Sequence, residues 1–298
     1  MWKELFYKIQ DGDIRSLARA ISLVENEADG YENLLQMLPQ SETKIIGITG
    51  PPGAGKSTLT DGLIEELIKQ NKKIAVVCVD PSSPFNHGAV LGDRIRLSKW
   101  YNNDSVFIRS LATRGSLGGL NSKIIEITDL LKTAPFDFII VETVGVGQSE
   151  IEIAGLADIT LLVLVPEAGD DIQAMKAGLM EIADMIAVNK CDRPGADGFV
   201  KNLRVMLGPA FRNSHADIPV VKTVASKQEG LHELAEKINE LIISAGTNEK
   251  KYLLLAEKAH HIIQEKRMND INKTQLQQMI QEEIKTGDFN MYRFAVKF

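Results

Sequence analysis

A glycine-rich segment of the chain has the residue types and spacing needed to hold phosphate groups. It fits the pattern G-x-x-x-x-G-K-[ST] and runs Gly50-Pro51-Pro52-Gly53-Ala54-Gly55-Lys56-Ser57. The glycines allow backbone N–H groups to turn toward phosphate oxygens, while Lys56 brings a positive charge and Ser57 offers a hydroxyl to Mg²⁺. An apolar strand pattern precedes the segment and a helical pattern follows it, so a ligand-free turn is the less favoured alternative. We therefore predict a phosphate site that includes Thr58 in the first helical turn.

A second segment predicts that the bound base is guanine. It is Asn189-Lys190-Cys191-Asp192, which follows an apolar strand pattern and should lie at the same sheet edge as the phosphate site. The Asp192 carboxylate can accept hydrogen bonds from N1–H and the exocyclic amine of guanine, whereas adenine offers no such donor pair. Asn189 is expected to brace the loop, and the Lys190 stem to pack along the ring. A weaker signal, after the last predicted strand, places backbone donors over the base at Ala225, Ser226 and Lys227.

Acidic residues at predicted strand ends are candidate Mg²⁺ ligands together with Ser57. They are Glu142 and Asp80, and a third candidate is Asp93, in the segment expected to lie over the phosphates. Each of the three has an ordinary loop cap as its alternative interpretation. Because Mg²⁺ keeps several waters and phosphate oxygens, we expect some of these acids to act through water. Gln148 is a candidate for orienting the attacking water, with a polar position at a helix N-terminus as the alternative. The predicted catalytic residues are therefore Lys56, Glu142 and Gln148.

The remaining pattern predicts the elements that position these residues. Apolar runs rich in Val and Ile alternate with amphipathic stretches, which predicts a three-layer α/β fold with a mostly parallel sheet between two helical layers. The predicted strands are 44–49, 73–79, 105–109, 137–142, 159–165, 185–189 and 218–224. Helical spacing is also found at 1–40, with Asp13 as an N-cap, and at 249–286, where Gly287 ends the helix. The aromatic tail at 291–298 is expected to dock on its own subunit or on another.

Composition limits the classes of function. The chain has 298 residues, a formal net charge of -6, and 44% hydrophobic and 25% charged residues, which favours a globular protein without a general polyanion-binding surface. We expect no nucleic-acid partner. Two cysteines, an N-terminus unlike a signal peptide and apolar runs far shorter than the ~20 residues of a membrane helix predict a cytoplasmic protein without a membrane partner.

Several segments together resemble the MeaB/ArgK-type P-loop GTPases, a family related to the nickel-insertion GTPases. The resemblance spans about 12 to 245 and rests on the phosphate and guanine segments, on 79–84 and 92–94, and above all on the run 141–150, Val-Glu-Thr-Val-Gly-Val-Gly-Gln-Ser-Glu. It implies a GTP-hydrolysing chaperone that assists cofactor loading and protection of an adenosylcobalamin-dependent acyl-CoA mutase, most often methylmalonyl-CoA mutase.

The resemblance also implies an organisation of the chain. Members are typically homodimers held partly by C-terminal helical arms, so we expect a helical segment 1–42, a GTPase domain 43–246 and an arm 247–298 that takes part in dimerisation. A family segment that relays the nucleotide state matches 166–176, with Asp170 and Lys176 as its switchable charges. An ordinary capped loop is the alternative there. Other candidate functions are a nickel-inserting GTPase, a small-molecule P-loop kinase and a nucleotide-binding scaffold without turnover.

Overall fold

The computed structural model describes residues 1–80, 97–113, 120–143, 149–168, 179–210, 218–244, 249–268, 270–287 and 289–298. By internal contacts the chain forms two compact units, Met1–Asn248 and Glu249–Phe298. No helix in these ranges combines the length and apolar character that crossing a bilayer requires.

The first unit is built on a seven-stranded sheet, counted over the described residues, in which every strand pair is parallel. The order is β3-β2-β4-β1-β5-β6-β7. The strands are β1 (Lys44–Thr49), β2 (Ile74–Asp80), β3 (Val106–Ala112), β4 (Phe138–Glu142), β5 (Ile159–Leu164), β6 (Met185–Val188) and β7 (Val220–Lys222). Because parallel strands need crossover connections, their carboxyl ends meet at one edge of the sheet. The predicted α/β fold class is confirmed.

Helices flank this sheet and connect its strands. In the first unit they are α1 (Trp2–Gln10), α2 (Ile14–Glu25), α3 (Tyr31–Leu35), α4 (Lys56–Lys69), α5 (Ile124–Leu131), α6 (Ser149–Leu156), α7 (Leu179–Ile182), α8 (Ala196–Ala210) and α9 (Leu231–Ser244). The predicted N-terminal helical region is thus three helices, since the chain turns at Gly12 and Gly30, both of which have positive φ angles. Asp13 caps α2 as predicted, because its side chain accepts a hydrogen bond from the backbone N–H of Arg15.

Apolar side chains alternate between the two faces of the sheet and form a core on each. On one face, Ile45 of β1 packs in a cluster with residues of α1, α2, α5 and α6. On the other, Ile46 and Ile48 pack with residues of α4 and α9, and a third cluster joins β5 and β6 to α8. The N-terminal helices therefore share the sheet's own core. This three-layer packing holds β1, β4 and β6, whose ends carry the candidate site, as a rigid platform.

The second unit consists of α10 (Glu249–Met268), α11 (Lys273–Thr286) and α12 (Met291–Ala295). The predicted helical stretch 249–286 is two helices, because Asn272 caps α11 by accepting hydrogen bonds from Thr274 and Gln275. Gly287, in the left-handed conformation, ends α11 as predicted. Phe294 of the tail is buried, and its ring centroid lies 5.4 Å from that of Phe298.

Candidate functional site

The loop between β1 and α4 takes a conformation that requires glycine. Gly50, Gly53 and Gly55 have φ angles of 142°, 78° and 89°, a region that other residues rarely adopt. A Cβ atom at Gly50 would lie 2.2 Å from the Val163 carbonyl oxygen, and one at Gly55 would lie 2.4 Å from Nδ2 of Asn189. The pattern of glycines therefore serves two purposes: it turns the backbone and lets the loop approach β5 and the segment after β6.

Lys56 closes this loop. Its buried ammonium group donates hydrogen bonds to the carbonyl oxygens of Gly50, at 2.8 Å, and of Pro51, at 3.1 Å. Lys56 is also the first residue of α4, whose opening N–H groups have no acceptor inside the helix. The loop thus combines a buried cation with the positive end of a helix dipole, which is an environment suited to phosphate oxygens.

A buried carboxylate lies beside the start of α4. Glu142, the last residue of β4, is 3% exposed, and its Oε1 accepts a hydrogen bond of 2.6 Å from the Ser57 hydroxyl. Its Oε2 accepts a hydrogen bond of 2.8 Å from the Thr60 hydroxyl. The structure thus brings together Ser57 and Glu142, which the sequence predicted from two distant motifs. Thr60 was missed, although its place three residues after Ser57 puts it on the same helical face.

The guanine segment is tied directly to the phosphate loop. Asn189 is 2% exposed and donates from Nδ2 to the carbonyl oxygen of Ala54, at 2.9 Å. Its Oδ1 accepts hydrogen bonds from the N–H of Ala225, at 3.0 Å, and from the Thr223 hydroxyl, at 3.3 Å. One amide therefore joins three chain segments. Thr223 is a second residue that sequence analysis missed.

Lys190 and Asp192 extend from the same segment on the surface side. Lys190 has a φ of 59° and donates a hydrogen bond of 2.7 Å from Nζ to the carbonyl oxygen of Gly53. Asp192 is exposed and forms an ion pair with Lys227, with an N···O distance of 3.1 Å. Within this pair the Lys227 ammonium donates a hydrogen bond to Asp192, which lowers the pKa of the Asp192 carboxyl below its usual value. An ionised, accessible carboxylate beside the 225–227 turn is what recognition of the guanine N–H donors requires.

The other predicted residues fall into two groups. Ala225 is buried and Ser226 is exposed in a short 3₁₀ turn, Ala225–Lys227, while Pro52 and Thr58 are exposed beside the loop. Asp80 ends β2 by its backbone, next to β4, but its side chain lies outside the described structure. The same holds for the whole of Asp93, Gln148, Asp170 and Lys176. Among the described residues, no three His, Cys, Asp or Glu side chains are grouped so that they could hold a metal ion.

Comparison with known proteins places this geometry in a family context. Residues 17–282 match the family described as "Methylmalonyl Co-A mutase-associated GTPase MeaB". A protein of Pyrococcus abyssi that carries a GTPase name is 47% identical over 245 residues, which cover 80% of this chain and 76% of that protein. The GTPase ArgK of Escherichia coli is 40% identical, covering 63% and 59%. The mitochondrial methylmalonic aciduria type A homolog of Caenorhabditis elegans is 38% identical, covering 64% and 52%.

Two solved structures resemble the fold. The crystal structure of a LAO/AO transport system kinase has a TM-score of 0.69 and 25% identity, and the match covers 99% of this chain and 95% of that one. The structure of HypB from Helicobacter pylori in complex with nickel has a TM-score of 0.50 and 18% identity, covering 77% and 98%. At that identity, the second likeness shows the fold alone.

Proposed function

Because the chain belongs to the methylmalonyl-CoA mutase-associated GTPase family, we propose that it is a chaperone of an adenosylcobalamin-dependent acyl-CoA mutase. It is a P-loop GTPase, as its relatives are named. The proposed role is to assist cofactor loading of the mutase and to protect it from inactivation, with methylmalonyl-CoA mutase as the favoured client. The family name and the methylmalonic aciduria homolog support this assignment of the client.

For the nucleotide site, the observation that carries the proposal is the link between the phosphate loop and the guanine segment through Asn189 and Lys190. In the proposed complex, Gly50–Ser57 and Thr58 hold the phosphates and Lys56 neutralises charge on the β- and γ-phosphates. Asp192 accepts the two guanine donors, and the 225–227 turn covers the base. The side-chain amide of Asn189 orients both halves of the site, so in this proposal the base and the phosphates are bound in one fixed relation to each other.

Mg²⁺ fits the donors beside α4. The Ser57 hydroxyl and the buried Glu142 carboxylate are hard oxygen donors, which is the ligand type that Mg²⁺ prefers. We propose Ser57 and Glu142 as its protein partners, with Asp80 and Asp93 as further candidates that act directly or through water. When bound, Mg²⁺ supplies charge neutralisation at the β- and γ-phosphate oxygens.

Hydrolysis and signalling are assigned to two different sets of residues. Lys56 stabilises the charge of the transferred group, Glu142 organises the metal side of the site, and Gln148 orients the attacking water in this proposal. Asp170 and Lys176 change their contacts with the nucleotide state and pass that change to the mutase.

The proposal includes a homodimer held by the arm 247–298. Apolar side chains on the second unit are exposed, as is usual for a surface that another chain covers: Ile262, Ile263, Met268, Met279, Ile284 and Met291. We expect the double variant Ile263→Glu/Ile284→Glu to halve the mass found by light scattering. Val205→Glu, at a position 65% exposed on the GTPase unit, is the control and should leave the mass unchanged. A monomeric wild-type protein would remove dimerisation from the proposal.

The base assignment is tested by Asp192→Asn. An asparagine offers an amide N–H to the additional carbonyl of xanthine and loses the acceptor pair for guanine, so the variant should bind GTP at least about 100-fold more weakly and gain affinity for XTP. Asp197→Asn is the matched control, since Asp197 also pairs with a lysine, Lys222, at 2.9 Å. Unchanged GTP affinity in Asp192→Asn would refute the assignment.

The client is tested with this same variant. A tagged Asp192→Asn protein loaded with a non-hydrolysable XTP analogue or with XDP is passed over native lysate, so that endogenous guanine nucleotides do not compete. We expect a cobalamin-dependent mutase to be retained in a manner that depends on which nucleotide is bound. Purified mutase that neither binds the protein nor changes its GTPase rate would refute the chaperone role.

Two other functions make different predictions. The name of the LAO/AO transport system kinase points to phosphate transfer, which would appear as a labelled small molecule or protein formed faster than free phosphate. Nickel insertion would require tight, stoichiometric nickel binding by this chain. Neither is our proposal, because Asn189 and Asp192 form a guanine signature and the HypB likeness reports only the fold.

A further inference from the structure

Thr60 is a buried residue of α4 whose hydroxyl is used in an unusual way. Helical threonines commonly donate to a backbone carbonyl one turn earlier, as Thr128 of α5 does with Ile124 at 2.8 Å. Thr60 instead donates across the helix–strand interface to Oε2 of Glu142, at 2.8 Å, and it is fully buried. This side chain therefore serves the carboxylate of a neighbouring strand.

The contact helps to fix the orientation of the Glu142 carboxylate toward the Ser57 hydroxyl. Oε1 accepts from Ser57 and Oε2 accepts from Thr60, two donors on one helix face about 4.5 Å apart along its axis. A carboxylate held at both oxygens cannot rotate without losing one of these bonds. Since both oxygens act as acceptors, the arrangement is satisfied by the ionised carboxylate.

From this geometry we propose that Thr60 is a positioning residue that makes Glu142 a single-oxygen partner for a divalent cation at Ser57, and so sets selectivity for Mg²⁺ over Ca²⁺. Mg²⁺ takes single oxygens in a tight octahedral shell, whereas Ca²⁺ accepts larger shells and bidentate carboxylates. The Thr60 hydroxyl uses one of the lone pairs of Oε2 and holds the carboxylate in place, which disfavours a second metal bond at that oxygen and hence the bidentate mode. The inference rests on the proposed magnesium site and goes beyond it by assigning its selectivity.

The test compares cation binding rather than turnover alone. MgCl₂ and CaCl₂ are titrated separately into the GDP-loaded protein in a calorimeter. The selectivity ratio is the dissociation constant of Ca²⁺ divided by that of Mg²⁺. Thr60→Val, which keeps the shape and removes the hydroxyl, should weaken Mg²⁺ about tenfold, in line with the loss of other groups that orient metal ligands. Ca²⁺ should weaken less, so the selectivity ratio falls. Thr60→Ser, which keeps the hydroxyl, should restore the wild-type ratio.

Thr128→Val is the matched control, because it removes the hydroxyl of another fully buried helical threonine. It should alter stability and leave the cation ratio unchanged. If Thr60→Val does not fold, Thr60→Ala removes the same hydroxyl without the second methyl group and gives the same reading.

The outcomes separate this inference from the function on which it rests. A wild-type GDP complex that does not bind Mg²⁺ would overturn the magnesium assignment itself. A wild type that prefers Mg²⁺, together with a folded Thr60→Val of identical preference, would overturn only the role of Thr60. A fall in the ratio that also occurs in Thr128→Val would likewise contradict it, since the effect would then come from general loosening.

Discussion

Replacing Asn189 with alanine should separate the contribution of one side chain to folding from its contribution to nucleotide binding. The substitution removes the hydrogen bonds that join the Ala54 carbonyl to the Ala225 N–H, both in buried positions. Leaving a buried polar group without its partner costs about 1–3 kcal/mol, so we expect the free energy of unfolding to fall by about 2–4 kcal/mol. A typical domain with 5–15 kcal/mol of stability remains folded after such a loss.

The structure offers a close control in Asn121. It is also 2% exposed, donates to the Ala112 carbonyl at 2.7 Å and accepts from the N–H of Lys123 at 2.9 Å. Asn121→Ala should therefore destabilise the protein by a similar 2–4 kcal/mol. It follows β3, which lies three strands from β1, or about 14 Å across the sheet, and so should leave the nucleotide site intact.

Nucleotide affinity distinguishes the two variants. If the binding arrangement of the loops in Asn189→Ala lies about 1.4 kcal/mol above the alternative, only about a tenth of the molecules hold it, and GDP binds about tenfold more weakly than to a wild type that holds it throughout. Asn121→Ala should bind GDP within about twofold of wild type.

Both quantities can be measured on the same preparations. Urea unfolding of the nucleotide-free protein is followed by tryptophan fluorescence, because both tryptophans, Trp2 and Trp100, lie in the Met1–Asn248 unit. GDP affinity is measured with a fluorescent analogue. Equal affinity in Asn189→Ala and wild type would refute the idea that this amide organises the site, as would an equal loss in Asn121→Ala.

Further predictions concern the loop and the base. Lys56→Ala should lower kcat for phosphate release by about 10²–10³, a loss typical of removing one charge-stabilising donor, and a smaller change would contradict its catalytic role. Lys227→Ala should raise the pKa of Asp192 toward its usual value; because guanine needs the ionised form, the midpoint of the acid loss of GDP binding should move to higher pH, and an unmoved midpoint would speak against the pair. Gly50→Ala should destabilise the protein by about 2–4 kcal/mol in urea unfolding, since its Cβ would overlap the Val163 carbonyl. Gly53→Ala also has a positive φ but open space around its Cβ, so it should cost only about 1–2 kcal/mol. Equal losses in the two variants would exclude the overlap as the cause.

The parts of the site that could be predicted from sequence are those encoded by local spacing. The glycine pattern and the Asn189–Asp192 run each specify a backbone turn and a donor set within a few residues. Their proximity followed from the rule that parallel strands end at one edge. The predicted and observed strands agree for β1, and within one residue at each end for β2, β4, β5 and β6.

Other features depend on packing partners that are distant in sequence. Helical spacing places Thr60, unlike Thr58, on the same face as Ser57, but only the position of β4 beside α4 brings its hydroxyl to Glu142. The strand predicted at 105–109 is observed at Val106–Ala112, because its backbone stays paired with β2 as far as Ala112.

The last predicted strand is longer than the observed one, because a contact after β7 ends the pairing early. The run 218–224 has strong strand propensity, yet β7 covers only Val220–Lys222. Val224 instead forms an antiparallel bridge with Glu229, which closes the turn that brings Ala225 to Asn189 and Lys227 to Asp192. Tertiary contacts here take precedence over propensity.

The order of strands has a consequence for how this site can diverge. The phosphate loop follows β1 and the guanine segment follows β6, with β5 between them. The separation of the two strand ends, two strand spacings or about 10 Å, is set by backbone hydrogen bonding, and the Asn189 side chain then joins the loops that follow them. On the proposed function, Asp192 could therefore be exchanged in evolution to accept another base while the distance between the two strand ends stays constant. The sheet thus fixes the spacing of the two strand ends, while base preference can change through the side chains that follow β6.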